Sequence, residues 1–467
     1  MIHQIEQFII AAADVLSGYP LFFLLIGGGL YLFISSGAVS IRRLPHSIRE
    51  LRKRGAGDSG AGQISSAQAL TSVIGATVGM GNIAGVAIAL VMGGPGAIFW
   101  MWVSAVVGMA TKYHEGVLAI MYKGKDDMGN PQGGPMHIIE KGMGPKWKPL
   151  ARFFAIAGLF GTMCIMNANQ LTEAFMAAFT NPDDIAASAF LSKIGAFFSL
   201  ENYQAYRLLF GCAIAVIVGL VILGGIKRIA NVASVLVPFM VGMYFLMVLY
   251  IILTNLHAVP AAVASIFREA FNLRAGIGAL AGIAIIGARR AALVNDAGIG
   301  TASIMHGASA NKNAVREGLI AMLGPSIDSG LVCTLTAIAI LICGNIDVEG
   351  IKGLEIAMGA FAKGIPMGDI LLMLVVVCFA LSSMFSYSFY GTSCATYLFG
   401  TRIGKYYRWF FLATLVIFAV VPIEAAVGAC DLFYALMAIP TMIAILTLSP
   451  RVRKATREYF KKEKSDK

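Results

Sequence analysis

Gly75-Ala76-Thr77-Val78-Gly79-Met80-Gly81-Asn82-Ile83-Ala84-Gly85 is a stretch too apolar to lie in water and too rich in glycine to stay an undisturbed helix. It falls inside an apolar run from about 67 to 91, long enough to cross a bilayer, which takes roughly 20 residues of helix. Glycine costs about 1 kcal/mol relative to alanine in a helix interior, so four of them within one span invite local unwinding. An unwound segment at mid-membrane offers carbonyls to a cation and amides to a carboxylate, with the half-helix dipoles adding partial charge to both. Thr77 and Asn82 add side-chain oxygens at the same level. The competing reading is close helix packing, since Gly81 and Gly85 are four apart. A dinucleotide loop is excluded: no strand precedes Gly79-Met80-Gly81, and the third glycine comes one residue late.

The rest of the chain agrees with a lipid solvent. Its 467 residues are 58% hydrophobic and 13% charged, with mean hydropathy +0.77, too few polar groups to clothe a water-soluble body of that size. In hydrocarbon only helices and closed barrels satisfy every backbone amide, and barrel-type alternation is absent, so the apolar runs are helices. No cationic leader precedes the run from Pro20 to Ser35, which reads as a retained span, not a cleaved signal. The seven cysteines sit scattered in apolar runs without metal-type spacing and read as packing residues.

Apolar runs between punctuating residues give eleven spans, approximately 19–38, 67–91, 95–120, 150–179, 205–224, 230–254, 277–300, 315–343, 368–398, 407–422 and 425–448. Residues 1–17 read as an interfacial amphipathic helix or a frayed terminus. With loops alternating sides, 27 of the 36 Lys and Arg collect on one side. The positive-inside rule then places the N-terminus outside and the C-terminus in the cytoplasm, in a cytoplasmic (inner) membrane. A nucleic-acid binder would not sort its net charge of +11 by alternate loops, so no nucleic-acid partner is expected.

Setting the first span aside leaves ten, and five plus five forces the second half to be inverted in the membrane. The expected architecture is an all-α polytopic membrane protein with eleven transmembrane helices. It divides into residues 1–66 (interfacial helix, accessory span and basic loop), a first repeat at 67–254, a second at 277–448 and a basic tail at 449–467. Inverted repeats place cargo and ion at mid-bilayer beside discontinuous helices, which predicts a break in the first span of each repeat, 67–91 and 277–300.

The second of these reads Gly282 to Gly300 and carries Arg289, Arg290 and Asp296. Charge inside a membrane is expensive and marks function or a wet cavity, so these three are expected to form a gate in which an arginine is held by Asp296; the alternative is a plain structural pair or helix cap. In the ninth span Ser382 and Ser383 precede Tyr387 by a helical turn. Membrane serines usually bond the preceding turn's carbonyl, but a hydroxyl pair level with the glycine break also suits a hard cation. His114 and Glu115 read as an interfacial pair at a span's end. Glu173, Asp328 and Glu424 are the acidic groups nearest the site and are expected to lie outside the glycine break.

The run Gly93-Gly-Pro-Gly-Ala-Ile-Phe-Trp-Met-Trp-Val-Ser-Ala-Val-Val-Gly108 resembles the signature of the alanine or glycine:cation symporter family, also called sodium:alanine symporters. Asn295-Asp-Ala-Gly-Ile-Gly300 is similar to the family's N-E-A-G-x-G. Tyr390-Gly391 and Tyr397-Leu-Phe-Gly400 extend the resemblance over nearly the whole chain. It implies the leucine-transporter-like fold of the amino acid-polyamine-organocation superfamily, with Gly75–Asn82 similar to that fold's first broken helix. On this resemblance the carbonyls of Gly75 and Val78 and the hydroxyls of Ser382 and Ser383 form a sodium site, with Phe379 as a further carbonyl. Thr77 and Asn82 sit at a second sodium site or beside the substrate. Amides near Gly79 and Gly81 receive its carboxylate, and Ile285, Ile286, Gly287 and Tyr387 line its side-chain pocket. The chain departs from the family at Tyr387 (usually Trp), at Ala291–Val294 (usually Gly-Leu-Phe-Ser) and at Ile165 (usually Gln), which leaves Asn167 as a candidate polar group in that span.

The expected function is sodium-coupled symport of a small neutral amino acid, alanine- or glycine-like, by alternating access, with Na+ as the coupling ion. Proton coupling is the alternative. A membrane enzyme is disfavoured because no H-E-x-x-H or G-x-S-x-G occurs, and a passive channel would show conduction without coupling.

Overall fold

The computed structural model describes residues 12–13, 15–16, 18–52, 63–180, 183, 185, 188–198, 200–271, 277–344, 353–421 and 423–465. Nearly all of them are helical, as a chain in lipid must be. Six helices are long and apolar enough to cross a membrane: Pro145–Met176, Asn202–Ile222, Gly225–Thr254, Ala314–Cys343, Gly368–Gly404 and Gly428–Glu463. A bent pair, Ser66–Thr77 with Gly81–Gly93, makes a seventh span among the described residues. The chain is a polytopic membrane protein. Most of the predicted interfacial helix at 1–17 lies outside the described residues.

In chain order the first helices include α1 (Tyr19–Ser35), α2 (Leu44–Arg52), α3 (Ser66–Thr77), α4 (Gly81–Gly93), α5 (Gly96–Met121) and α6 (Ile165–Phe179). They are joined by α7 (Gly225–Thr254), α8 (Ile277–Val294), α9 (Thr301–Gly307), α10 (Ala314–Cys343), α11 (Gly368–Phe399) and α12 (Ile423–Ser465). A short hairpin pairs Gly124–Lys125 with Pro131–Gln132. α5 runs along both α8 and the start of α10, while α3 lies against α7 and α11. The side chains of Lys112, His114 and Glu115 are fully buried in α5.

α3 starts from a capping box. The Ser65 hydroxyl accepts from the Gln68 amide at 3.2 Å and the Gln68 side chain accepts from the Ser65 amide at 3.0 Å. The span breaks where its glycines predict: α3 ends at Thr77, Val78 turns extended, and α4 leaves at 57°. Close approach also requires Gly75, because a Cβ there would meet Val237 Cγ2 at 2.9 Å and Ser382 Cβ at 3.4 Å.

The second expected break takes a different form. α8 runs unbroken from Ile277 to Val294, through Gly282 and Gly287. At Gly287 the glycine serves close helix contact, for a Cβ would lie 3.1 Å from Trp100 Cβ and against the Ala97 carbonyl of α5. The chain leaves the helical path only at Asn295–Gly300, with Asp296 (φ 51°), Gly298 (φ 89°) and Gly300 (φ 99°) in the left-handed region, and resumes as α9. Two further differences concern length. The span expected at 150–179 is interrupted before Ile165, where Cys164 has φ 54°. The basic tail is the continuation of α12 as far as Ser465, docked on the segment before α3, with the Arg43 guanidinium 3.8 Å over the Phe460 ring.

Candidate functional site

At the break the backbone is held from one side by Asn82. Its Oδ1 accepts from the Gly79 amide at 2.9 Å, and its backbone carbonyl accepts from the Thr336 hydroxyl at 2.9 Å. Its Nδ2 donates to the carboxyl of Asp328, a fully buried residue of α10. Asn82 is therefore the side-chain cap that lets the helix stop at Thr77 without stranding an amide. The Thr77 hydroxyl lies beside the same carboxyl. Asp328, expected to lie apart from the break, thus reaches it by crossing from α10.

From the other side come the hydroxyls of α11. Ser382 lies 2.9 Å from the Gly75 carbonyl and 2.9 Å from that of Phe379. Ser383 lies 3.2 Å from Gly75, 3.0 Å from Ala76 and 3.1 Å from Phe379 carbonyl oxygens. Five neutral oxygens, all buried, converge here from α3 and α11. Two are the hydroxyls and three are carbonyls, those of Gly75 and Ala76 at the break and that of Phe379 within α11. A hard cation prefers such oxygens. The carbonyl of Ala76 belongs to the cluster and was not anticipated, whereas Val78 is buried without a described contact to the serines.

A cavity of about 210 Å³ opens against this cluster. Thr77, Gly79, Gly81, Asn167, Ser383 and Tyr387 border it. Gly75, Val78, Asn82 and Ser382 lie behind its wall, and Ile285, Ile286 and Gly287 are not part of it. Ile286 instead sits against Gly93, and Gly287 against α5. The stretch of α8 that does reach the cavity is one to two turns later, at Arg290 and Val294, followed by Asp296. The helix is unbroken to Val294, so its wall-forming turn lies further along than a break at Gly282–Gly287 would put it. Gln170, Asp431 and Tyr434 also border the space.

Asp296 occupies the cavity's inner wall with hydroxyl partners. Its Oδ2 accepts from Tyr387 at 2.5 Å and from Thr301 at 3.3 Å, and the Tyr434 and Tyr387 hydroxyls are 2.5 Å apart. Lys112 of α5 acts on it electrostatically. Arg290 is placed in the cavity wall, and the side chain of Arg289 lies outside the described residues. Lys112 also acts on Glu115, whose Oε1 accepts from the Gly298 amide at 2.6 Å. His114 and Glu115, expected as an interfacial pair, are both buried within the protein, and His114 Nδ1 sits 2.7 Å from the Ala110 carbonyl. Of the other acids, Glu173 pairs with Arg207 at 3.2 Å, and the side chain of Glu424 lies outside the described residues.

Beyond Asp296 the space between α3, α5, α9 and α10 is closed. The buried Glu317 carboxyl takes His306 Nδ1 at 2.6 Å, the Ser66 hydroxyl at 2.7 Å and Asn311 Nδ2 at 2.9 Å. The cavity therefore runs from the break toward Ile88 and Asp431 at one end of the bundle. The other end is shut by polar contacts. Lys112, Glu115 and Glu317 carried a sequence signal, being charges within or beside spans, but only the packing of α5 on α8 and α10 brings them together.

The model of the sodium:alanine symporter family matches residues 2–467. The chain is 36% identical to the sodium/alanine symporter AgcS of Methanococcus maripaludis, over 95% of this chain and 94% of that one. It is 32% identical to a putative sodium/proton-dependent alanine carrier protein, YrbD, of Bacillus subtilis (98% and 93% covered). It is 30% identical to a probable sodium/glutamine symporter, GlnT, of the same organism (99% and 92% covered).

Proposed function

The chain belongs to the sodium:alanine symporter family, a family of cation-coupled amino-acid symporters, and from that premise we propose that it couples inward sodium movement to uptake of a small neutral amino acid. The observation that carries the reading is the convergence of five buried oxygens from α3 and α11 at the broken span α3–α4. Sodium binds there, between the carbonyls of Gly75, Ala76 and Phe379 and the hydroxyls of Ser382 and Ser383. The amino acid lies in the adjoining cavity, with its carboxylate toward the amides of the glycine break and its remaining groups toward Asn167, Tyr387 and Asp296. The Gly79 amide is already taken by Asn82, so the break offers the carboxylate its later amides, at Met80 and Gly81.

The cavity's size sets the cargo class. A dry cavity of about 150 Å³ accepts benzene, a six-heavy-atom molecule like alanine. About 210 Å³ accommodates alanine or glycine with room for one or two further atoms, so serine and D-isomers belong to the class. One sodium ion entering at −100 mV contributes about 2.3 kcal/mol from the potential, enough for tens-fold accumulation. We further propose eleven spans, two inverted five-helix repeats, an outside N-terminus and residence in a cytoplasmic membrane. The alternate-loop sorting of the cations supports this orientation.

Asp328 supports a second reading. A carboxyl bonded to the capping asparagine of the break is placed to carry a proton or to ligate a second cation. Uptake of labelled alanine, glycine and serine into proteoliposomes, with sodium, potassium or a pH gradient imposed, separates the two. Sodium-stimulated accumulation is expected. Accumulation driven by pH alone would transfer the coupling to Asp328, and no accumulation of any of them would refute the proposal.

A further inference from the structure

Where α1 leaves the membrane, Gly37 (φ 69°) and Ala38 (φ 54°) turn the chain back, and the returning segment meets the far end of α12. Between them is a pocket of about 380 Å³. Its walls carry Arg42, Arg43, Arg457 and Lys461 with the hydroxyl residues Ser36 and Thr456, and no carboxylate. Four cations converging with no acid is not the mixed arrangement of a solvated surface. Like charges held together cost free energy unless something anionic joins them. Among the carboxylates of the same elements, Glu50 sits 3.1 Å from Arg316 Nε, Glu463 lies 3.8 Å from His46, and Glu458, next to Arg457 in sequence, does not line the pocket. Arg43 is held by Phe460, so one cation of the set is fixed in place.

Position narrows the anion. Ser36 directly follows the last residue of α1, at the level where apolar span gives way to charge. On the flank toward the span stand Tyr31, Ile34 and Ile41, exposed by 48%, 68% and 58%. A cation-lined pocket with an apolar approach from the membrane matches the two ends of one molecule. We infer that this pocket binds the phosphate headgroup of an anionic phospholipid, its acyl chains lying along Tyr31, Ile34 and Ile41. Arg42, Arg457 and Lys461 contact the phosphate oxygens, guanidinium groups offering paired donors to them.

The test titrates phosphatidylglycerol, phosphatidylcholine and inorganic phosphate separately into the full-length protein in neutral detergent. Binding is read by native mass spectrometry and by the shift in thermal unfolding. Phosphatidylglycerol is expected to bind at least tenfold more tightly than phosphatidylcholine. Each of Arg42→Gln, Arg457→Gln and Lys461→Gln should weaken it about fivefold, the triple variant about 100-fold, following about 1 kcal/mol per surface cation. Lys462→Gln, an exposed neighbour outside the pocket, should leave it within twofold. Equal binding of both lipids overturns the inference. So does an equal loss in Lys462→Gln, which would make the effect one of net charge. Equal protection by inorganic phosphate at the same concentration would leave a free-anion site and remove the lipid.

Discussion

Ser383→Ala is the sharpest perturbation of the oxygen cluster. The hydroxyl stands 3.0–3.2 Å from three carbonyl oxygens, and Ser382 stands 2.9 Å from two. An octahedral shell around a hard cation at about 2.4 Å has edges of about 3.4 Å. The cluster therefore needs to open by only a few tenths of an ångström to admit the ion, and each oxygen it keeps counts. Removing one oxygen deletes a contact between a dipole and a full charge, worth about 1.5–3 kcal/mol, and each 1.4 kcal/mol is tenfold. The sodium concentration for half-maximal uptake should rise about 10- to 100-fold, with maximal uptake at saturating sodium largely preserved.

The assay is initial-rate alanine uptake into proteoliposomes across a sodium titration, with potassium replacing sodium at constant ionic strength. Ser388→Ala is the matched control: it removes the same atom from the same helix, but from a hydroxyl that bonds only the Phe385 carbonyl, at 2.7 Å. A Ser383→Ala protein with an unchanged sodium requirement would refute the ligand role, as would an equal shift in the control.

Gly75→Ala tests the close approach. The added methyl would lie 2.9 Å from Val237 Cγ2 and pry α3 from α7 and α11, costing about 1–3 kcal/mol as overpacking does. Uptake should fall, and Val237→Ala in the same chain should restore part of it. No recovery in the double variant would show that the clash is not the cause. Asp328→Asn keeps the shape and removes the charge beside Asn82. Uptake should fall at least tenfold while the sodium requirement of the serine site stays within threefold, measured as above; a large shift in that requirement would merge the two sites. Outside the spans, burial lowers His137 to about 4, with its Nε2 2.9 Å from Gln132 Oε1. Its folded pKa is below the unfolded value of about 6.5, so its contribution is whole above about 6.5 and fades as pH falls toward 4. Between pH 7 and pH 5 the loss is about 2 kcal/mol. Thermal unfolding at the two pH values should show a smaller acid loss in His137→Gln than in the parent, and equal losses would exclude His137 as the source.

The break in α3–α4 was legible because glycine propensity acts locally: four glycines in one span lower its helicity wherever it packs. The serine pair was legible for a similar reason, two hydroxyls in a row on an apolar helix. The wall contributed by α8 was not. Gly282 and Gly287 look in sequence like Gly75 and Gly79, yet α5 lies so close along α8 that Gly287 is a contact surface. Whether a glycine unwinds a helix or admits a neighbour depends on what lies across from it. Asp328 and Lys112 were visible as charges, but Asp328 lies 246 residues from Asn82 in sequence, and no periodicity connects them. The helical tail was hidden by its composition: a basic stretch after the last span reads as solvated, whereas Arg43, His46, Tyr113, Tyr122 and Gly142 help supply the surface on which it docks.

The glycine break also separates two legs of one span that are tied to different neighbours. α3 is clipped to the segment around α9 by the Gln63 amide on the Ala308 carbonyl at 2.9 Å, the Ala310 amide on Ile64 at 2.8 Å and Ser66 on Glu317 at 2.7 Å. α4 borders the open cavity. On the proposed reading, cargo can leave at the closed end only if those clips part and α3 moves without α4, which a continuous helix would forbid and a 57° break permits. The same motion would draw the carbonyls of Gly75 and Ala76 away from Ser382 and Ser383. A sodium ion among those oxygens therefore fastens α3 to α11 and opposes the motion, and its loss frees it. The ion's differential affinity for the two arrangements is then the coupling itself. It follows that Glu317→Gln, which weakens the clip without touching the cluster, should speed hydrogen exchange in residues 63–72 when sodium is absent and leave it slow when sodium is saturating. Exchange that ignored sodium in both proteins would disconnect the break from the coupling.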